Sequence, residues 1–376
     1  MSQAFTSTDS TIIAEKIELI PDITSQVYDV RLGKVTTVNF TDGIGTISKE
    51  TVEKITRELE ERSFVKRRQR LMNSHSAFQI RLGGHKGMLS VDYTHHGPSI
   101  RIRDSMTKFI SDDFQFIEVA QTFERPKPAY LNRPLIMILE TLGVRAETFK
   151  RLQDEMISSV KKAAGSLEGA HTLLQTYNLG RALKVPQVLS ILHKFGLEYS
   201  FSDFFRRAMK CVVYDILRAL KYKARILLPN GYTLVGVADI HRYLNEGEIF
   251  GKRVYWGLLL VHRIIDRASY LACICHEGHD PIFLEGRTLI TRSPCMHPGD
   301  VQLVKAIGCP PRDSPFFHEP LRNCVVFPCQ GTHSQIGFIT LDSLTYLFPV
   351  TGTRSLPQSL GGGVSRRCTI ANLGSY

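Results

Sequence analysis

The stretch that most limits what this chain can become runs from Thr288 to Ala306 and is interrupted by two prolines. It opens with the β-branched run Thr288-Leu-Ile-Thr-Arg292, breaks at Pro294 and Pro298, and resumes after Asp300 as the apolar run from Val301 to Ile307. Proline fixes φ and removes an amide donor, so the stretch reads as strand, rigid turn, strand and not as helix. Arg292, His297 and Asp300 are the polar residues of that turn. His297 reads as structural. Asp300 either orients the turn's backbone or supports a metal site from behind its ligands.

Strand character also dominates the earlier part of the chain. Val35-Thr-Thr-Val-Asn-Phe40 alternates, and Asp42-Gly43 makes a turn. Ile44-Gly-Thr-Ile-Ser48 follows, and Ser48 is placed to cap a helix from Lys49 to Glu61. Three further strands are expected over 77–82, 87–92 and 99–103. In the last of these, Arg101 and Arg103 share one face, because strand side chains alternate. From 130 to 222 the apolar residues recur at helical spacing, as in Phe149, Leu152, Met156 and Val160. A second such stripe is Phe205, Met209, Val212, Ile216 and Leu220, and both read as ordinary packing.

This pattern predicts an α+β chain with a lead or linker over 1–34, a strand-rich unit over 35–129 and helices over 130–222. A second strand-rich unit covers 223–331, with an anomalous segment at 251–280, and an irregular tail occupies 332–376.

A net charge of +11 over 376 residues favours anionic partners, nucleic acid above all. The charge is uneven: residues 60–110 hold ten Lys or Arg against four acids. The run Lys66-Arg-Arg-Gln-Arg70 is either a solvated face or a phosphate-contacting patch. No apolar run approaches the roughly 18–20 residues of a spanning helix. The N-terminal residues lack the basic start and apolar core of a secretion signal. Eight scattered cysteines suit a reducing compartment, so an intracellular location, nuclear or cytoplasmic, is expected. Cys273, Cys275, His276 and His279 crowd four potential ligands into seven residues, too short for a chain to wrap zinc, so they are not read as a metal site.

Several segments together resemble the cell-encoded RNA-dependent RNA polymerases of eukaryotic gene silencing. They are Phe40-Thr-Asp-Gly-Ile-Gly-Thr-Ile-Ser48, Gly84-His-Lys86-Gly-Met88, Ile102-Arg-Asp-Ser-Met-Thr-Lys108-Phe109 and Tyr130-Leu-Asn-Arg-Pro134, in that order. Further on stand Arg225 to Asp239, Glu246 to Phe250, the 288–306 stretch and Val325-Val-Phe-Pro-Cys-Gln-Gly331. The resemblance implies two double-psi β-barrels, the second incomplete, joined by a helical neck. It implies that Lys86 and Lys108 face the active centre and bind nucleotide or product phosphates, a role that suits a compact point charge. Arg101, Arg103 and Arg292 are further candidates for nucleotide or RNA contact. The implied partners are an RNA template and ribonucleoside triphosphates, with no membrane, and the implied cofactor is magnesium.

Nucleotidyl transfer needs converging carboxylates to hold two metal ions. The family supplies them in an Asp-x-Asp-Gly-Asp loop, and no Asp-x-Asp-x-Asp run occurs in this sequence. Without residues 332–352, Gln330-Gly331 would join Thr353 to Gly363, which resembles the family's approach to its aspartates. Val364-Ser-Arg-Arg-Cys-Thr then follows where the aspartates are expected. Residues 332–352 therefore read as an insert followed by a change of reading frame, and 251–280 read as a second insert. No catalytic residue or metal ligand is assigned. The expected function is that of a truncated RNA-dependent RNA polymerase, inactive alone. The alternatives are a non-enzymatic basic RNA-binding module and a non-functional fragment.

Overall fold

The computed structural model describes residues 8–13, 15–29, 33–62, 75–111, 116–123, 126–180, 184–197, 203–253, 282–292, 295–318, 321–331 and 344–349. The chain begins with β1 (Asp9–Ile13), β2 (Ile17–Ile20), β3 (Thr24–Asp29), β4 (Lys34–Asn39) and β5 (Ile44–Ser48). Helix α1 (Lys49–Arg62) leads to β6 (Ala77–Leu82), β7 (His85–Asp92), β8 (Ile100–Arg103), β9 (Phe116–Thr122) and β10 (Lys127–Tyr130). Five helices come next: α2 (Arg133–Thr141), α3 (Ala146–Ala163), α4 (Leu167–Thr176), α5 (Val185–Lys194) and α6 (Asp203–Lys223). The chain returns to strands with β11 (Leu227–Ala238), β12 (Glu248–Arg253), β13 (Ile282–Phe283), β14 (Glu285–Arg292) and β15 (Val301–Ile307). The short helix α7 (Pro315–His318), β16 (Cys324–Phe327) and β17 (Leu344–Pro349) complete it. The fold is mixed α+β.

Local chemistry accounts for the helix starts. Asn132 accepts the Leu135 amide at 2.9 Å, with proline in the first turn of α2. Ser166 accepts the Gly169 amide at 3.0 Å to open α4. Ser48 does cap α1, and its hydroxyl also accepts the Ser99 amide at 3.1 Å, which ties the helix start to β8. The expected stripe of Phe149, Leu152, Met156 and Val160 is buried.

Two sheets repeat one order of pairing. In the first, β2 runs parallel to β8, β8 antiparallel to β5, and β5 parallel to β7. In the second, β15 runs parallel to β12, β12 antiparallel to β16, and β16 parallel to β11. One apolar core joins the two sheets, running from Phe40, Phe78 and Ile100 into Val237, Phe250 and Phe327. The Arg322 amide adds a hydrogen bond across the seam, donating to the Ser76 hydroxyl at 2.7 Å. A second core lies among the helices and takes in Leu228, Leu289 and Cys295 from the second sheet. Among the described residues no helix is long and apolar enough to cross a membrane.

Two sequence expectations need correction. Residues 1–34, read as a lead, supply β1, β2 and β3. These strands are short and only partly buried, so their apolar alternation is weak, but Thr11 fixes β1 by donating to the Ile117 carbonyl at 2.7 Å. The irregular tail also contains a strand. β17 hydrogen-bonds β11 on one side and β14 on the other, and its Leu-Thr-Tyr-Leu-Phe run has high strand propensity and no charge. The rest of 332–376 and most of 251–280, with the Cys/His group, lie outside the described residues, as does the basic run at 66–70. Arg253 at the end of β12 pairs with Ile282 at the start of β13.

Phe250 is 1% exposed and stacks on Phe316 with ring centroids 4.7 Å apart. Phe250→Ala is expected to lower the unfolding free energy by about 3–5 kcal/mol, read from urea denaturation midpoints.

Candidate functional site

The Lys86 hairpin turns through Gly83 and Gly84, at φ +50° and +79°, which pairs Leu82 with His85 and Arg81 with Lys86. Left-handed φ at two successive positions is the geometry of a tight hairpin turn, and glycine adopts it without steric cost. The turn is also a docking point. The Gly84 carbonyl accepts the Lys108 amide at 3.0 Å, and His85 bridges to Thr107. A Cβ on Gly84 would stand 2.1 Å from the Phe109 carbonyl oxygen, so only glycine permits this approach. Lys86 and Lys108 are thereby brought to one end of the first sheet. Lys108 is exposed, with its ammonium donating to the Ser105 carbonyl at 2.8 Å, and Lys86 is half-buried.

Hydrogen bonds extend from this end to the second sheet. The Ser105 hydroxyl accepts the Gly43 amide at 2.8 Å and donates to Asp22 Oδ1 at 2.9 Å. Asp22 also accepts the Ser105 amide and the Thr41 hydroxyl. On the same loop the Phe40 carbonyl lies 3.7 Å from Cys329 Sγ, just beyond β16. Burial pushes the Cys329 thiol up to about 12. Gln330 then donates to the Leu244 carbonyl at 2.8 Å, and Gly331 sits at φ +112° against Glu246. The two lysine-bearing segments and the Gln330-Gly331 exit of β16 thus border one seam.

The arginines are placed differently. Arg103 is 4% exposed and donates to the Ile44 carbonyl at 2.9 Å and the Pro21 carbonyl at 2.6 Å. Burial pulls its pKa down. In this arrangement it is a structural tie, without the exposure that phosphate contact requires. Arg101 pairs with Glu18 at 3.0 Å and Asp92 at 3.5 Å. Hydrogen bonds from Lys16 and then Arg101 hold the Glu18 carboxyl down at about 2. Arg292, His297 and Asp300 form a self-contained turn beside the helical core, apart from the lysines. Asp300 accepts the Met296 and His297 amides at 2.8 and 3.0 Å and lies 3.2 Å from Arg292 Nε, while His297 Nδ1 accepts the Gly299 amide. Asp300 therefore orients the turn.

Among the described residues no three His, Cys, Asp or Glu side chains converge to hold a metal ion. Near the seam, Asp239 is wholly buried and spends its oxygens on the His241 and Leu244 amides. Burial pushes its carboxyl up. Asp22 is held by Ser105 and Thr41. These donors do not fit a pair of magnesium ions.

Residues 1–339 match the family described as RNA dependent RNA polymerase. The chain belongs to this family. It is 29% identical over 331 residues to a probable RNA-dependent RNA polymerase 1 of Oryza sativa subsp. japonica, an alignment covering 88% of this chain and 38% of that one. With RNA-dependent RNA polymerase 1 of Schizosaccharomyces pombe the identity is 26% over 308 residues, 78% of this chain and 23% of that one. The solved RNA dependent RNA polymerase QDE-1 from Thielavia terrestris superposes with a TM-score of 0.64 at 20% identity, over 94% of this chain and 38% of that one. That likeness establishes a shared fold. This polymerase-family chain spans between about a quarter and two-fifths of the length of the curated relatives it matches.

Sequence reasoning missed Asp22, Ser105 and Cys329. Nothing in their spacing marks them, because each acts through a partner distant in the chain.

Gly84→Ala combines a positive φ with a backbone clash. It is expected to cost about 1–3 kcal/mol and to loosen the Lys108 segment, seen as faster amide exchange at residues 107–109. The Asp300 carboxyl gives a pH test. Burial alone would raise its pKa, but the two amides and Arg292 outweigh burial and hold it below the ordinary value. Its stabilising contribution is thus present above about pH 4 and is lost as pH falls through the folded-state pKa. Asp300→Asn should be less stable than the wild type by about 1.5–3 kcal/mol near neutrality, with the difference closing below pH 4 in thermal melts.

Proposed function

We propose that this chain forms the nucleotide- and template-contacting part of an RNA-directed RNA polymerase, acting on an RNA template and ribonucleoside triphosphates in RNA silencing. The observation that carries the reading is the docking of the Lys108 segment on the Lys86 hairpin, at the seam where β16 ends. Two ammonium groups at one edge can balance the charge of a triphosphate or of product phosphates. The same reading takes the first sheet as a double-psi β-barrel and the second as an incomplete one. Support comes from the repeated parallel–antiparallel–parallel pairing and from β17, which pairs with both β14 and β11.

The family uses divalent metal ions, and among the described residues no carboxylates come together to hold them. In this reading the chain on its own binds RNA and nucleotide without joining nucleotides.

Lys86→Ala and Lys108→Ala should each weaken binding of a ribonucleoside triphosphate or of RNA about tenfold at low salt, measured by fluorescence anisotropy. Unchanged affinity in both variants would sink the assignment of the site. Template-directed incorporation of labelled nucleotide by the pure chain, abolished by EDTA, would show that the chain supplies its own metal ligands.

A further inference from the structure

Helix α6 is amphipathic in an unusual sense. One face packs into the helical core through Met209, Ile216 and Leu220. The opposite face carries Arg207, Lys210, Tyr214, Arg218 and Lys221, all exposed, with Tyr214 at 67%. Their spacing of three, four, four and three residues keeps them on one ridge. At ~1.5 Å rise per residue the ridge is about 21 Å long. Among the described residues Arg207, Lys210 and Arg218 make no ion pair, and Asp215 flanks Arg218 without pairing to it. The helix's ion pair, Asp203–Arg206, lies at its first turn. Neighbouring like charges along a helix repel one another, and a bound polyanion relieves that repulsion.

We propose that this ridge is a rail for single-stranded RNA, with phosphates on Arg207, Lys210, Arg218 and Lys221 and a base stacked on Tyr214. Cations interleaved with an aromatic are what sequence-tolerant single-strand binding needs, since every base offers a face to stack. The proposal rests on the polymerase reading and adds a second contact region, on the helices and not at the lysine seam. A strand held there would be guided outside the seam.

The test is anisotropy of a labelled oligouridylate titrated with the whole chain over a series of salt concentrations. Arg207→Gln/Lys210→Gln/Arg218→Gln keeps helix propensity and removes three charges. Its log–log salt slope should fall by about 2, at ~0.7 per phosphate contact, with affinity down at least tenfold at low salt. Tyr214→Ala should lower affinity about tenfold and leave the slope unchanged. The exposed positions leave the circular dichroism spectrum and melting temperature as they are.

If the triple variant binds RNA like the wild type while Lys86→Ala/Lys108→Ala loses affinity, the rail is wrong and the polymerase site stands. A wild-type chain that binds no RNA overturns both. If the triple variant keeps its RNA affinity but loses binding to polyglutamate, the ridge belongs to an acidic protein partner and the rail is again wrong.

Discussion

The hydrogen bond from the Lys108 amide to the Gly84 carbonyl sets the geometry on which the rest of the site depends. A backbone contact of this kind is indifferent to side-chain rotamers, so it fixes the spacing of the two lysine-bearing segments. It forms because the hairpin turns through two glycines and leaves no Cβ in the way of Phe109. Glycine recurs where the strands close on the turn after β8. A Cβ on Gly87 would stand 2.6 Å from the Gly43 carbonyl oxygen, and one on Gly45 2.3 Å from that of Arg101. The two lysines are carried on a backbone frame whose close approaches leave no room for a Cβ.

That frame is held to the second sheet mainly by apolar burial. Phe40 and Phe327 are both wholly buried in the core the two sheets share. Hydrophobic burial is strong but has no direction, so it cannot set which loop faces which. Direction comes from a few polar ties: Ser76 to the Arg322 amide and the Phe40 carbonyl to Cys329. Each is buried or half-buried, where leaving a donor or acceptor unmatched is costly. The core holds the sheets together and the polar ties select one arrangement.

What was legible in the sequence was what depends on local pattern. The capped helix after Ser48, the strand over 77–82 and the buried stripe of α3 follow from periodicity and capping residues. The broken strand over 288–307 follows from its prolines. The lysine segments were legible only as a resemblance, because a single lysine in a glycine-rich turn looks like any surface cation. The fates of Arg101 and Arg103 were not legible. Alternation puts them on one face, but whether an arginine meets solvent or a carbonyl is settled by residues as remote as Pro21 and Ile44. β1 to β3 and β17 escaped notice for a related reason. Short strands earn their place by pairing, and the pairing partners lie up to about a hundred residues away.

The arginines also show why net charge alone is a poor map of a binding surface. Of the cations first picked out, Arg103 is consumed by backbone carbonyls, and Arg101 and Arg292 by carboxylates. A guanidinium's five donors in a fixed fork make it well suited to such internal work. An ammonium is a strongly hydrated point charge, and burying it gains less. At the seam Lys108 is exposed to solvent while the neighbouring arginines brace the strands of the same sheet. On α6 the rule changes, because among the described residues no carbonyl or carboxylate pairs with Arg207 or Arg218. There the same side chain that acts as a tie within the sheet is left to meet a partner from outside. The chemistry of arginine is identical in the two places, and what decides its role is whether the surrounding backbone presents acceptors.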